Sequence, residues 1–369
     1  MAIQFSRPRL ALVSTGIRRD LIAPLKYFSQ FELIHFYQRA EYGDLTDADF
    51  DATLRQYHSP LDLYRQLVVA RADVIQGVEP FLPRLQPYLW ACYFAAQRTS
   101  TRLLAVTLEN RPLEIKFGRG IAFALKTLLR FYFARTCAVI VLNEGAHENV
   151  RACGIAPHRI AKLMWGTWGV DVNEFAPSSH VYTAPTILFA GRLHAEKGIF
   201  VLLNAFARVR QQIPNARLLI VGDGPARSQV EMCAREFGDA ITLTGVIKHR
   251  AMPAMFQAAD VLAMPSLTTR KWAEQVGMVA LQAMACGVPI VATQSGAIPE
   301  YVPANAGVLV PENDADALAT ALIELLRDPE RRAQFSRAAR EYAVEHYDVQ
   351  KNIARAEHVL MERCLANRV

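Results

Sequence analysis

Two stretches in the second half of the chain combine residue types that bind anions and sugar-like hydroxyls. The first is GRLHAEKG, Gly191 to Gly198, which follows a β-branched run at Thr186–Ala190 and opens into a helical pattern. Unpaired N–H groups and a helix dipole meet where a strand hands over to a helix, so a glycine-framed loop there suits an anion such as a phosphate. Arg192 and Lys197 add two cationic heads at that mouth, although two basic residues on such a loop can equally be solvated surface charge. The second stretch, PSLTTRKWAEQVGMVALQAMACGVPIVAT, runs from Pro265 to Thr293. Glu274 precedes a helix with Gly277 in its first turn, and a carboxylate there accepts from hydroxyls while neighbouring N–H groups hold a phosphate. Gln282 follows a little over two turns later, on roughly the same helical face. The plainer reading makes Glu274 an N-terminal helix charge and Gln282 a polar residue on an apolar helix.

Those loops need strands and helices to hold them. Short β-branched runs of the kind buried on both faces recur at Leu10–Val13, Val139–Leu142, Thr186–Ala190, Leu218–Val221, Ile241–Leu243, Val261–Met264, Pro289–Ala292 and Val308–Val310. From Thr186 onward they alternate with helical patterns, which predicts a parallel, doubly wound α/β sheet. The first half is less regular and predicts a second α/β sheet, with further strands at Leu33–Phe36, Val74–Gln76 and Leu104–Thr107. Thr167–Pro177, rich in Gly, Asp, Asn and Pro, suits a linker. The expected organisation is a domain over 1–168, a second over 169–345, and a helix over 346–369 that crosses back onto the first.

Composition narrows the class. The chain has 369 residues, 52% of them hydrophobic and 21% charged, which excludes disordered and fibrous proteins and allows each half its own core. Of the 41 basic and 35 acidic residues, 21 and 16 fall in 1–180, leaving 20 and 19 in the second half. The net +6 is compatible with a phosphate-bearing ligand, a membrane surface or nucleic acid and is too small to select among them; the dense basic stretch 116–135 favours a membrane, and no nucleic-acid partner is expected. Six cysteines without a CxxC pair read as buried thiols in a reducing compartment. The amino terminus has only a four-residue apolar run and no stretch approaches ~18 apolar residues, so a cytoplasmic location is expected. Asp314 and Asp316 mimic a DxD metal motif but precede an Ala- and Leu-rich helix, where Asp caps the end, and no histidines have metal-ligand spacing.

Taken together, GVDVNEFAP (Gly169 to Pro177), GRLHAEKG, VGDGP (Val221 to Pro225), LTGVI (Leu243 to Ile247) and EQVGMVALQAMACGVPIVAT with SGAIPE (Ser295 to Glu300) resemble glycosyltransferase family four, in the family's order and over about Gly169 to Tyr347. The resemblance implies the GT-B fold, two Rossmann-like doubly wound domains facing a central cleft. It implies a retaining enzyme that moves a sugar from an NDP-sugar to a hydroxyl of a glycan or lipid-linked acceptor, without a metal cofactor. Arg192, Lys197 and backbone N–H groups near Val276 and Gly277 would hold the pyrophosphate, Glu274 the donor-sugar hydroxyls, and Gly245, Val246 and Ile247 the base; Gly191, Gln275 and Met278 complete the donor side. The family's second glutamate is Gln282 here. A neutral acceptor loses the charge-assisted part of a ribose contact, on the order of 1 kcal/mol or somewhat more, or roughly tenfold in affinity. A catalytically inactive homologue that binds nucleotide or a partner in a polysaccharide pathway is the alternative.

In the first domain the resemblance is thin. Ser14–Thr15–Gly16 reads as a small-residue turn after the first strand, where relatives carry a Gly-rich loop near the phosphates, so Gly16 is the candidate there. Glu109 and Asn110 in TLENRP stand where relatives carry a polar residue near the reacting carbon; a capping or turn role fits them as well. From Lys116 to Arg135 the chain has five basic residues, no acidic one and five aromatics, which reads as one helix. It is either an ordinary core helix with snorkelling cations or a contact with an anionic membrane at its inner face.

Overall fold

The computed structural model describes residues 7–41, 45, 49–50, 53–178 and 184–366. The chain divides into two compact units: one runs to Gly169 and takes in the segment from Val349, the other spans Val170–Asp348. In chain order the first unit contains β1 (Arg9–Ile17), α1 (Arg19–Ile22), β2 (Glu32–Ala40), β3 (Leu54–Gln56), α2 (Pro60–Ala70), β4 (Val74–Gln76) and α3 (Gln86–Thr99). It continues with β5 (Arg102–Thr107), α4 (Leu113–Phe117), α5 (Arg119–Ala134), β6 (Thr136–Val141), α6 (Glu144–Ala152) and β7 (Ile160–Lys162). The second holds β8 (Thr186–Ala190), α7 (Ile199–Gln212), β9 (Arg217–Val221), α8 (Arg227–Arg235), β10 (Ile241–Gly245), α9 (Met252–Gln257) and β11 (Val261–Met264). It then adds α10 (Met278–Ala285), β12 (Ile290–Thr293), α11 (Ile298–Tyr301), β13 (Gly307–Val310), α12 (Ala315–Arg327) and α13 (Pro329–His346), after which α14 (Val349–Leu360) returns the chain to the first unit.

Among the described residues the first sheet has the order β3-β2-β1-β4-β5-β6-β7 and the second β10-β9-β8-β11-β12-β13, every adjacent pair being parallel. Both are doubly wound. Strand order reverses between β1 and β4 in one sheet and between β8 and β11 in the other, and ligands of such sheets bind beyond the strands' carboxyl ends at that switch. Each unit has its own apolar core, one around Phe36, Phe81 and Phe133, the other around Phe206, Leu202 and Ile220. Side chains begin several helices as their types predict: Ser59, Asn143 and Asp314 accept from Asp62 N, Ala146 N and Ala317 N. Asp314 is thus a cap.

Three expectations change. Ser14–Gly16 is strand and no turn, because β1 keeps pairing with β2 as far as Ile17 opposite Ala40. The stretch 116–135 breaks at Gly118, where α4 ends and α5 begins, since that residue's left-handed φ of 85° leaves the helical path. The reading of all six cysteines as thiols is also corrected: Cys137 on β6 and Cys364 just past α14 form a disulfide, while Cys92, Cys153, Cys233 and Cys286 are free. Their separation of 227 residues makes the pair invisible to spacing. Glu357 fastens the same segment, accepting from Ser29 N at 2.8 Å and Gln30 N at 2.7 Å.

Candidate functional site

In the second unit the loops after β8, β9 and β11 are drawn together by backbone contacts that only glycine permits. Gly198 has φ 70°, and a Cβ there would fall on the Pro265 carbonyl; Gly222 has φ 136°, and a Cβ there would fall on the Gly191 carbonyl. The backbone locks in accordingly, with Gly191 N donating to Val221 O at 2.9 Å, Gly222 N to Gly245 O at 2.8 Å, and Leu267 N to Glu196 O at 2.7 Å.

This framework brings Lys197 and Glu274, 77 residues apart, to 2.8 Å between Nζ and Oε2. Ser266, just past the end of β11 and buried, donates to the same oxygen at 2.9 Å, and the Lys197 ammonium lies 4.4 Å from the centre of the Trp272 ring. Gly277 is the N-cap of α10 with φ 62°, so the helix begins at Met278 and Gly277 stands just outside its first turn. Arg192 is exposed at the same mouth, Val246 is exposed beyond β10, and Gln282 is buried inside α10. Gln275 is half-buried and Val276 buried between Glu274 and the helix. Arg227 lies over Gly245, tied to Asp223 at 3.2 Å and Glu231 at 2.6 Å, and these partners raise its pKa. Ser266 escaped sequence reasoning; its one signal is its place two residues past the end of β11.

At the switch point of the first unit a hollow of about 290 Å³ is lined by Gly16, His35, Glu41, Gln76, Glu79 and Trp165, among others. Burial lowers the His35 pKa to about 4, so the ring is neutral, and its Nε2 lies 2.8 Å from Ser14 Oγ. Burial pushes the Glu79 carboxyl up to about 7, against hydrogen bonds from Thr107 Oγ1 at 2.7 Å, Leu108 N at 3.1 Å and Phe81 N at 3.2 Å. Glu109 is 2% exposed and paired with Lys116; Arg111 N donates to it at 3.0 Å. Asn110 is half-buried, and its backbone fills the space left by the missing side chain of Gly145. Glu79 and His35 carried no motif. Among the described residues no group of three or more His, Cys, Asp or Glu could hold a metal ion, and no helix is long and apolar enough to cross a membrane.

The family model for glycosyl transferases group 1 matches residues 172–342. The chain is 34% identical over 210 residues to a GDP-mannose-dependent alpha-(1-6)-phosphatidylinositol monomannoside mannosyltransferase of Mycolicibacterium smegmatis, covering 53% of this chain and 55% of that protein. It is 27% identical to the alpha-D-kanosaminyltransferase of Streptomyces kanamyceticus, over 71% of this chain and 69% of the relative. The matches thus span about half the length of the first of these curated relatives. Among solved structures, sucrose-phosphate synthase from Thermosynechococcus elongatus superposes with a TM-score of 0.73 at 21% identity, over 96% of this chain and 99% of that one. HepE of Anabaena in complex with UDP gives 0.76 at 18%, over 96% and 100%. With its two doubly wound units and the matched domain in the second of them, this chain has the GT-B fold and is related to the glycosyl transferases of group 1.

Proposed function

We propose that the protein transfers a sugar from a nucleoside-diphosphate sugar to a hydroxyl of a glycan or lipid-linked acceptor, with retention at the anomeric carbon. The observation that carries this reading is the Lys197–Glu274–Ser266 cluster, held by glycine-tight loops beside the start of α10 at a sheet switch point. In this reading Lys197, Arg192 and the N–H groups at Val276 and Gly277 take the diphosphate. Glu274 takes sugar hydroxyls, Gly245 to Ile247 the base, and Gln282 the ribose. Gly191, Gln275 and Met278 shape the same donor site. As the glycosidic bond breaks, negative charge gathers on the departing diphosphate, and fixed cations stabilise it where it develops. The diphosphate, leaving on the face where the acceptor attacks, takes the acceptor's proton.

In the first unit Gly16 stands on the donor-phosphate side, and Asn110 and Glu109 serve near the reacting carbon in contact with acceptor or donor, Glu109 through its hold on Lys116. No metal enters the proposal. The relatives named for GDP-mannose and phosphatidylinositol mannosides support a lipid-linked acceptor. We place the chain at the inner face of a membrane through residues 116–135, where anionic headgroups attract a basic segment. Gln282 is the one observation favouring the second reading, a homologue that binds nucleotide without turnover. Release of free nucleoside diphosphate from a panel of UDP-, GDP- and ADP-sugars, with and without acceptor extract, decides. Acceptor-dependent release supports transfer, binding without release supports the second reading, and release without acceptor means hydrolysis and overturns both.

A further inference from the structure

α5 lacks a polar outer face. Ala122, Leu125, Leu129 and Phe133 turn inward and are buried, yet the opposite side carries Phe123, Ala124, Thr127, Leu128 and Phe131, with Phe123 and Phe131 74% and 65% exposed. Surface helices ordinarily turn charge outward, so a helix apolar on both sides meets something apolar on its second side. Its charges lie along one flank, where Arg119, Lys126 and Arg130 recur at intervals of seven and four. On the other flank the buried Tyr132 packs edge-on against Trp90 of α3, their ring centres 6.3 Å apart, which sets α3 beside α5, and Trp90 in turn meets Phe94, 58% exposed. Between α2 and α3 lies an open groove of about 750 Å³, bordered by Leu61, Tyr64, Trp90, Phe94 and Arg98. Along α2, Leu61, Arg65 and Val69 point outward at intervals of four. Asp62 is the single acidic residue in the three helices, and it accepts from His58 N at the start of α2.

A contiguous apolar surface of this kind marks an interaction site. Aromatic side chains flanked by arginines, with almost no acidic group among them, match a layer of anionic headgroups over acyl chains. We propose that the outer face of α2, α3 and α5 rests on an anionic lipid surface, with Phe123 and Phe131 entering the acyl boundary, Arg119 and Arg130 meeting headgroup phosphates, and the α2–α3 groove taking one acyl chain. This deepens the acceptor side of the proposed function by naming the docking face and a site for a lipid tail.

The test uses the full chain without donor or acceptor, so its failure is distinct from failure of sugar transfer. The chain is sedimented with phosphatidylcholine vesicles with and without phosphatidylglycerol. Binding is expected only with the anionic lipid, and Phe123→Asp with Phe131→Asp, or Arg119→Glu with Arg130→Glu, should weaken it about tenfold or more at an unchanged circular dichroism spectrum. Independently of those variants, lipids brominated on their acyl chains should quench tryptophan fluorescence of the unsubstituted chain. Trp90→Phe should remove most of that quenching while vesicle binding persists. Absence of vesicle binding, equal binding to neutral vesicles, folded variants that bind like the parent, or quenching that Trp90→Phe leaves unchanged would each overturn the proposal.

Discussion

Beyond the β11 strand of the second unit, Glu274 meets a lysine that stays 27% exposed and faces the loop mouth; beyond the β5 strand of the first unit, Glu109 meets Lys116, which is 13% exposed. The two sheets have related strand orders, and both pairs sit past a strand's carboxyl end, yet one remains open to a ligand and the other is sealed. A carboxylate and an ammonium that retain access to solvent can exchange partners with a diphosphate and a sugar. A sealed pair serves chiefly to keep a loop in place, because breaking it strands a charge away from water. On the proposed function, the same charge pair is binding machinery in one unit and scaffold in the other.

The largest expected effect is on the sealed pair. Lys116→Met leaves Glu109 buried without its cation and should destabilise the first unit by about 3–5 kcal/mol in a urea titration; a change below about 1 kcal/mol would break the contrast. Lys197→Ala should instead cost about 100- to 1,000-fold in kcat/KM for sugar transfer with a small shift in Tm. Unaltered kinetics would return Lys197 to ordinary loop charge.

Next comes the hollow of the first unit, where Glu79 titrates near pH 7 when folded against an ordinary value of 4.5. The folded state then binds more protons than the unfolded state between those values, so its contribution to stability is full below about pH 4.5 and lost as pH rises through about 7. His35, lowered to about 4 from 6.5, acts oppositely: its contribution is lost as pH falls through that window. Tm against pH for Glu79→Gln and the parent isolates the first of these. The variant should gain on the parent as pH rises from 4.5 to 7, and parallel curves would remove Glu79 from the account. The smallest effect belongs to Gln282→Glu, which should tighten NDP-sugar binding by about 1.4 kcal/mol, tenfold by calorimetry. Unchanged or weaker binding would mean that Gln282 does not face the ribose.

The second unit was legible because its strands are continuous apolar runs alternating with helical patterns, so Gly191 and Lys197 stand at fixed offsets from the end of β8, and Glu274 and Gly277 just ahead of α10. The cap at Asp314 could be read in the same way. In the first unit the relevant side chains come from separate strands: His35 from β2, Gln76 from β4 and Glu79 just after it. No local spacing connects them. The misplaced turn at Ser14–Gly16 has the same origin, since small residues favour a turn locally while eight paired positions with β2 hold them extended.

From its sequence alone the protein was determined to have two α/β halves, a glycine-framed anion loop, a carboxylate eight residues before Gln282, and a basic, aromatic stretch ahead of β6. These are local properties, set by side-chain period, backbone freedom at glycine and the charge of a few residues. Tertiary structure alone decided which charges are sealed and which are open, that Cys137 meets Cys364, that a buried Glu79 titrates near 7, and that α5 turns Phe123 and Phe131 away from its own core. Each of those depends on desolvation or on contact between segments far apart in the chain, and both quantities exist only once the sheet has brought the segments together.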